Sequence, residues 1–147
     1  MKIRRLVAAD KAAVMQVFIA AYHNHSGSWS EQSLDDNLND SKYYFLGVWQ
    51  GNHLLAVSQF LCVLDSADLV NMTVHPDFQN QNLGNELLKQ SLARLQSMGI
   101  SQCFLEVRES NLPAKRLYEK NDFALIDHRP HYYRDTQETA LVYQWKG

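Results

Sequence analysis

Three short stretches of this chain carry side chains that an apolar core would not select. The first is Val74-His75-Pro76-Asp77-Phe78-Gln79-Asn80-Gln81-Asn82-Leu83-Gly84-Asn85, which leads from a strand end through a polar loop into an amphipathic helix. The start of such a helix presents unpaired backbone N–H groups and the positive end of its dipole. That arrangement accepts a phosphate or pyrophosphate, although a plain capping loop has the same pattern. The loop has no Gly-Lys-Ser/Thr and no Gly-x-Gly-x-x-Gly, so it is neither a Walker loop nor a dinucleotide fingerprint. The second stretch is Phe104-Leu105-Glu106-Val107-Arg108-Glu109-Ser110-Asn111, with Glu106 inside an apolar strand. Alternation places Glu106 on the face of Phe104 and Arg108, opposite Leu105 and Val107. A carboxylate there must be paired, solvated or used, so an ion pair and a general base both satisfy the position. In the third stretch Asn111, Ala114 and Tyr118 fall at i, i+3 and i+7 on one helical face. The small Ala114 leaves room for a ligand to lie along the helix, and a capping Asn with a half-buried Tyr is the plainer account.

The elements that must position these residues follow from the hydrophobic pattern. A strand Lys2 to Leu6 opens the chain, and Asp10 is placed to cap a helix from Lys11 to about His23, with Val14, Val17, Phe18 and Ala21 on its inner face. A polar loop with His23 and His25 leads to Ser30, which caps a short helix ending near Leu38. Strands are expected at Tyr43 to Trp49 and Leu54 to Leu64, joined at Gly51-Asn52, then at Leu69 to Val74 after a turn at Asp65-Ser66-Ala67. Leu83, Leu87, Leu88, Leu92, Leu95 and Met98 line one face of a long helix that Gly99 ends. A strand Gln102 to Val107, a helix Asn111 to Lys120 and two strands, Ala124 to His128 and Thr139 to Trp145, complete the chain. The predicted order is β-α-α-β-β-β-α-β-α-β-β, a mixed α/β domain. The section from Leu69 to Val107 is long enough for a crossover between two parallel strands.

Length and composition set the outer limits. At 147 residues, 46% apolar and 20% charged, the chain fits one domain with a core that needs neither disulfide nor metal. A net charge of −2 leaves no overall basic footprint for nucleic acid. Cys62 and Cys103 lie far apart in apolar runs and read as reduced core residues of a reducing compartment, the cytoplasm. No run has the roughly 18 apolar residues of a membrane span, and the segment Ala12 to Tyr22 reads as an amphipathic helix rather than a signal peptide. Asp127, His128 and His131 do not have the spacing of a zinc site, so no metal is expected. The residue pattern fixes no oligomeric state.

The first stretch resembles the pyrophosphate loop of the GNAT acetyltransferase superfamily, Gln/Arg-x-x-Gly-x-Gly/Ala after a V-x-P strand end. Gln79, Leu83 and Gly84 match in place, Asn82 stands where the first Gly is usual, and Asn80 and Gln81 replace the common arginines. Asn tolerates left-handed backbone angles, so the turn is expected to survive. Asp122, in Asn121-Asp122-Phe123, likewise stands where Gly usually ends the later helix. Leu-Glu-Val-Arg-x-Ser-Asn followed by Ala114 and Leu117-Tyr118-Glu119, with Trp29-Ser30-Glu31 and Tyr132-Tyr133, resembles the RimI-like branch, ribosomal-protein alanine N-acetyltransferases.

That resemblance implies the GNAT (acyl-CoA N-acyltransferase) fold, a mixed, mostly antiparallel sheet with a central parallel pair flanked by helices. It implies direct transfer of acetyl from acetyl-CoA to a protein N-terminal α-amine, of the ribosomal-protein alanine type. The backbone of Met72, Thr73 and Val74 would then pair with the pantetheine arm. Asn80, Gln81, Asn82, Leu83, Gly84 and Asn85 would cradle the pyrophosphate, opened by Gln79, and Asn111 would hydrogen-bond the cofactor. Glu106 would be the general base, directly or through water, and Tyr118 would protonate the departing thiolate. Lys115 and Arg116 are candidates for the CoA 3′-phosphate or for a solvated helix face, and Tyr132 and Tyr133 for the acceptor entrance or for edge packing. Two rival functions remain: an acetyltransferase for a small amine or polyamine, received by Glu31, Asp35 and Asp36, and a CoA-binding module without turnover.

Overall fold

The computed structural model describes residues 1–22 and 29–147. His23 and His25 lie outside the described residues. The strands are β1 (Lys2–Arg5), β2 (Tyr43–Gln50), β3 (His53–Val63), β4 (Ser66–Val74), β5 (Gln102–Arg108), β6 (Ala124–Arg129) and β7 (Ala140–Lys146). The helices are α1 (Lys11–Tyr22), α2 (Glu31–Leu38), α3 (Leu83–Ser97) and α4 (Leu112–Lys120). The strands form one sheet in the order β1-β2-β3-β4-β5-β7-β6, antiparallel everywhere except between β4 and β5. The α3 crossover forces that parallel pair, because α3 must return the chain to the same end of the sheet.

The sheet separates two apolar layers. Leu87, Leu88 and Leu95 of α3 pack with Leu46, Leu55, Phe60, Cys103, Leu105 and Tyr143 on one face. Val14, Val17 and Phe18 of α1 pack with Leu34 of α2 and with Phe45, Leu54 and Val57 on the other. Each fully buried leucine contributes about 2 kcal/mol, so the leucine face fixes α3 against the sheet. Burial also raises the Cys103 thiol to about 12, which leaves it a core group without nucleophilic use.

Several boundaries differ from the expected ones. Asp10 does not cap α1. It closes a 3-10 turn over Ala8–Asp10, its carboxylate accepting the Val7 N–H at 2.8 Å and pairing with Arg4 at 2.9 Å. Arg4 holds the Asp10 carboxyl below its ordinary range. The turn before β4 is Leu64-Asp65, with Leu64 at φ 57, so Ser66 and Ala67 already belong to the strand. The polar loop holds a 3-10 turn at Pro76–Phe78, where Pro supplies the fixed φ of a first turn. Met98 is 53% exposed, outside the buried stripe, because the left-handed turn at Gly99 (φ 93) ends α3 beside it. Ser30 caps α2 as expected, accepting the Ser33 N–H at 3.0 Å.

Candidate active site

β4 and β5 pair over only three registers, Ser66 with Gln102, Ala67 with Cys103 and Asp68 with Phe104. Beyond Asp68 the two strands part, and cavities open from the gap on either side of the sheet. One, of about 590 Å³, is lined by Met72, Val74, Gln79, Asn80, Asn82, Leu83, Gly84, Asn85, Asn111, Ala114 and Tyr118 among others. The sequence candidates therefore converge, except Gln81 and Thr73, which do not line it, and Glu106, which lines the other cavity, of about 500 Å³.

The loop before α3 is built from left-handed residues. Asn80 has φ 63 and Asn82 φ 64, so asparagine takes the angle at the position where glycine is usual. The left-handed Asn80 has no counterpart in the sequence reading. Successive amides in such a loop form a concave nest for an anion. Asn82 caps α3 without a side-chain bond, and the first helical bond is Glu86 N–H to Asn82 O at 3.1 Å. The N–H groups of Leu83, Gly84 and Asn85 therefore precede the helical ladder. The Asn85 side chain is not part of this nest. It is 7% exposed and accepts from Asn121 Nδ2 at 2.9 Å, while the same nitrogen donates to Leu117 O at 2.8 Å. This clamp fixes the α3 start against the α4 end, and no spacing rule joins residues 85 and 121.

The strand edge divides the other cofactor candidates. His75 N–H donates to Leu55 O at 2.8 Å, and the antiparallel ladder alternates from there. Thr73 is thus hydrogen-bonded to Val57, whereas the backbone groups of Met72 and Val74 point towards the gap. Thr73 is turned the other way, with its hydroxyl 2.7 Å from Tyr22 OH and bonded to Asn71 Oδ1. This is a correction to the run of three backbone contacts, since period-two geometry exposes alternate residues only. Gln79 ties its loop to the strand, donating from Nε2 to Val74 O at 3.3 Å.

Helix α4 supplies the far wall. Asn111 caps it, Oδ1 accepting the Ala114 N–H at 3.3 Å, which leaves the amide nitrogen of the side chain for a ligand. Lys115 turns away to the Glu109 carbonyl at 3.2 Å. The cations on the cavity are instead Arg116 and Lys120, one helical turn apart. Asp122 takes φ 68 and ends α4 as its glycine-like position required. Tyr118 is 9% exposed, its ring against Phe123 at 5.7 Å, and burial pushes its hydroxyl up to about 12.

Glu106 lies on the opposite sheet face. Its side chain is 36% exposed, and its carboxylate meets Arg129 at 3.4 Å and accepts from Tyr132 OH at 3.4 Å. The ion pair foreseen for an unused carboxylate is therefore present, beside a cavity that the same carboxylate lines. Tyr132 and Tyr133 stack edge to face at 5.2 Å. The loop bearing them is pinned by Arg108, which pairs with Asp135 at 3.1 Å and lies 4.0 Å over the Tyr133 ring. Glu138 adds a bond from Ser110 N–H at 2.6 Å. Among the described residues no cluster of three or more His, Cys, Asp or Glu is arranged to hold a metal ion.

Residues 12–123 match the Acetyltransferase (GNAT) family. The chain belongs to the GNAT acetyltransferase family. As a GNAT protein it is an N-acetyltransferase with acetyl-CoA as co-substrate, and the cavity along α3 and α4, with its free amides and cationic rim, fits that donor. The [Ribosomal protein bS18]-alanine N-acetyltransferase of Escherichia coli (strain K12) is 36% identical over 129 residues, 84% of this chain and 86% of that protein. The crystal structure of the ribosomal-protein-S18-alanine N-acetyltransferase from Escherichia coli superposes with a TM-score of 0.89 at 32% identity, covering 99% of this chain and 92% of that one. The PaiA N-acetyltransferase of Thermoplasma acidophilum, solved in complex with coenzyme A, shares the GNAT fold with a TM-score of 0.80 at 20% identity, covering 99% and 98%. No described helix of this GNAT chain is long and apolar enough to cross a membrane.

Gly84 stands in the first turn of α3 and lines the cavity. A Cβ there would meet Val74 Cγ2 at 3.6 Å and Leu117 Cδ2 at 3.8 Å, ordinary contact distances. Gly84→Ala should therefore fold normally, gaining up to about 0.5 kcal/mol from helix propensity. The added methyl would nevertheless occupy space beside the free amides. Calorimetry should show acetyl-CoA binding weakened about tenfold while thermal unfolding is unchanged or slightly raised.

Proposed function

We propose that this enzyme acetylates the N-terminal α-amine of a protein, an alanine-starting ribosomal protein of the bS18 kind, in the cytoplasm. The observation that carries the reading is the parting of β4 and β5, with donor-binding amides on one side of the gap and Glu106 on the other. The similarity to bS18-alanine acetyltransferases supplies the acceptor class.

The proposed chemistry gives each residue a role. Amides of residues 82–85 and the cations Arg116 and Lys120 hold the phosphates, while Met72 and Val74 align the pantetheine arm. The acceptor ammonium first loses one proton to solvent through Glu106, and the neutral amine nitrogen then attacks the thioester carbonyl as its second proton passes to the same carboxylate, directly or through a water. The carbonyl oxygen gains negative charge facing the Val74 N–H, a fixed donor at the strand end. The C–S bond then breaks, and the sulfur takes the Tyr118 phenolic proton, giving the amide and free CoA. Solvent exchange resets both side chains. An α-amine has a pKa of about 7.7–8.0 against about 10.4 for lysine, so its deprotonation costs about 3.4 kcal/mol less at neutral pH. One carboxylate is adequate for that task and less so for a lysine side chain.

The test is thiol release by the purified protein with acetyl-CoA and an Ala-started peptide, a Met-started peptide or spermine. Acetyl located by mass spectrometry on the α-amine of the Ala peptide is the expected result. Turnover confined to spermine would make the enzyme a polyamine acetyltransferase, and donor binding without turnover on any acceptor would make it a CoA-binding module.

A further inference from the structure

The cavity beside Glu106 is larger than an amino group requires and carries a charge that the reaction does not use. Its lining includes Asp68, Val70, Phe104, Glu106, Arg129 and Val142 within about 500 Å³. Ala67, Cys103 and Leu105 are buried in the α3-side core, so alternation turns Asp68, Phe104 and Glu106 to the opposite face together. Glu106 is matched by Arg129 at 3.4 Å. Among the described residues Asp68 makes no ion pair or side-chain hydrogen bond, and it is exposed. Two carboxylates thus face one guanidinium, and the uncompensated charge is at Asp68.

Asp68 is also where the gap begins, as the last β4 residue paired with β5. Strand spacing of about 4.8 Å and rise of about 3.3 Å per residue put the Cα atoms of Asp68 and Glu106 about 8 Å apart. A peptide whose amine is at Glu106 carries its next residue about 3.8 Å away, and a long side chain there spans the remainder. Between the two carboxylates lies Phe104, a flat apolar surface of the kind on which a guanidinium stacks.

We infer that Asp68 is a specificity-determining residue that selects acceptors with an arginine or lysine next to the acetylated residue. This deepens the proposed function and rests on Glu106 receiving the acceptor amine. The basic side chain lies along Phe104 with its charge on the Asp68 carboxylate, and the stem covers Val70 and Val142. An acidic residue at the same place meets a carboxylate that has no ion-pair partner and is rejected.

The experiment compares Ala-started peptides that differ only at the second residue, Arg, Ala or Glu, at saturating acetyl-CoA with the full chain. Wild-type enzyme should prefer Arg over Ala about tenfold in kcat/KM, with the advantage shrinking as salt is added. Asp68→Asn should bring that ratio close to one through a rise in the KM of the Arg peptide, and Asp68→Lys should move the preference towards the Glu peptide. A ratio unchanged in Asp68→Asn, or all three peptides falling together, overturns the inference. Good wild-type turnover without discrimination at the second residue overturns it while leaving the N-terminal acceptor reading intact. Turnover of spermine and of no peptide overturns both.

Discussion

Glu106→Gln should lower the rate on an N-terminal amine by about 10²–10³-fold at pH 7 and move the rise of the pH–rate profile alkaline. The acceptor amine arrives mostly as an ammonium, about nine-tenths of it at pH 7 for a pKa near 8. With the carboxylate present the proton leaves inside the complex, so the rate is not confined to the amine fraction free in solution. With glutamine only that free fraction reacts, and the profile should climb with the amine's own titration. The carboxamide keeps the shape, and Tyr132 OH can still donate to its oxygen, so loss of packing does not explain the change. It does remove the anion that faces Arg129 at 3.4 Å, an exposed pair worth less than about 1 kcal/mol. Unfolding should therefore shift little while kcat/KM collapses. A variant whose pH profile overlays the wild type would remove Glu106 from proton transfer and return the residue to its ion pair.

Much of this site was legible before the fold was known, and the parts that were not have a common cause. Asn82 and Asp122 could be assigned left-handed angles because the GNAT resemblance puts glycine at both positions and Asn and Asp tolerate such angles, and both take φ values above 60°. The leucine face of α3 was legible from its 3.6-residue period, with Met98 misplaced only because Gly99 ends the helix one residue later. Local rules failed where two turn signals competed. Leu64-Asp65, not Asp65-Ser66-Ala67, makes the β3–β4 turn, since strand pairing of Val63 with Ser66 outweighs turn propensity. Contacts between distant segments left no periodic trace at all. Arg129 on Glu106, Asn121 on Asn85 and Tyr22 on Thr73 depend on strand order and helix crossing, which a one-dimensional pattern does not contain. Basic residues on α4 were visible, but the helix rotation that selects Arg116 and Lys120 over Lys115 is set by packing of Leu117 and Tyr118 into the core.

Tyr118→Phe should lower kcat by about 10²-fold while leaving acetyl-CoA affinity within about twofold. The two quantities separate because the hydroxyl does nothing for the resting fold. Tyr118 OH has no hydrogen-bond partner among the described residues, and its ring keeps the Phe123 contact at 5.7 Å when the oxygen is removed. The oxygen is not among the described buried polar atoms that lack a partner and reaches the cavity that Tyr118 lines, so deleting it is close to neutral for stability and thermal unfolding should hold or rise slightly. Desolvation raises the phenol to about 12, and the proton therefore stays on oxygen throughout the range in which the enzyme works. Transfer from such a phenol to a thiolate, whose ordinary pKa is about 8.5, is uphill, and it is drawn forward because solvent reprotonates the phenolate. The loss should appear in kcat rather than in donor binding, since only the breaking C–S bond creates the charge that the phenol answers. An acceptor series sharpens the expectation: with the departing sulfur left unprotonated, the variant should lose more on acceptors of low basicity, which expel the thiolate less readily. Wild-type turnover in the Phe variant would instead mean that solvent protonates the thiolate and that Tyr118 only lines the pantetheine channel.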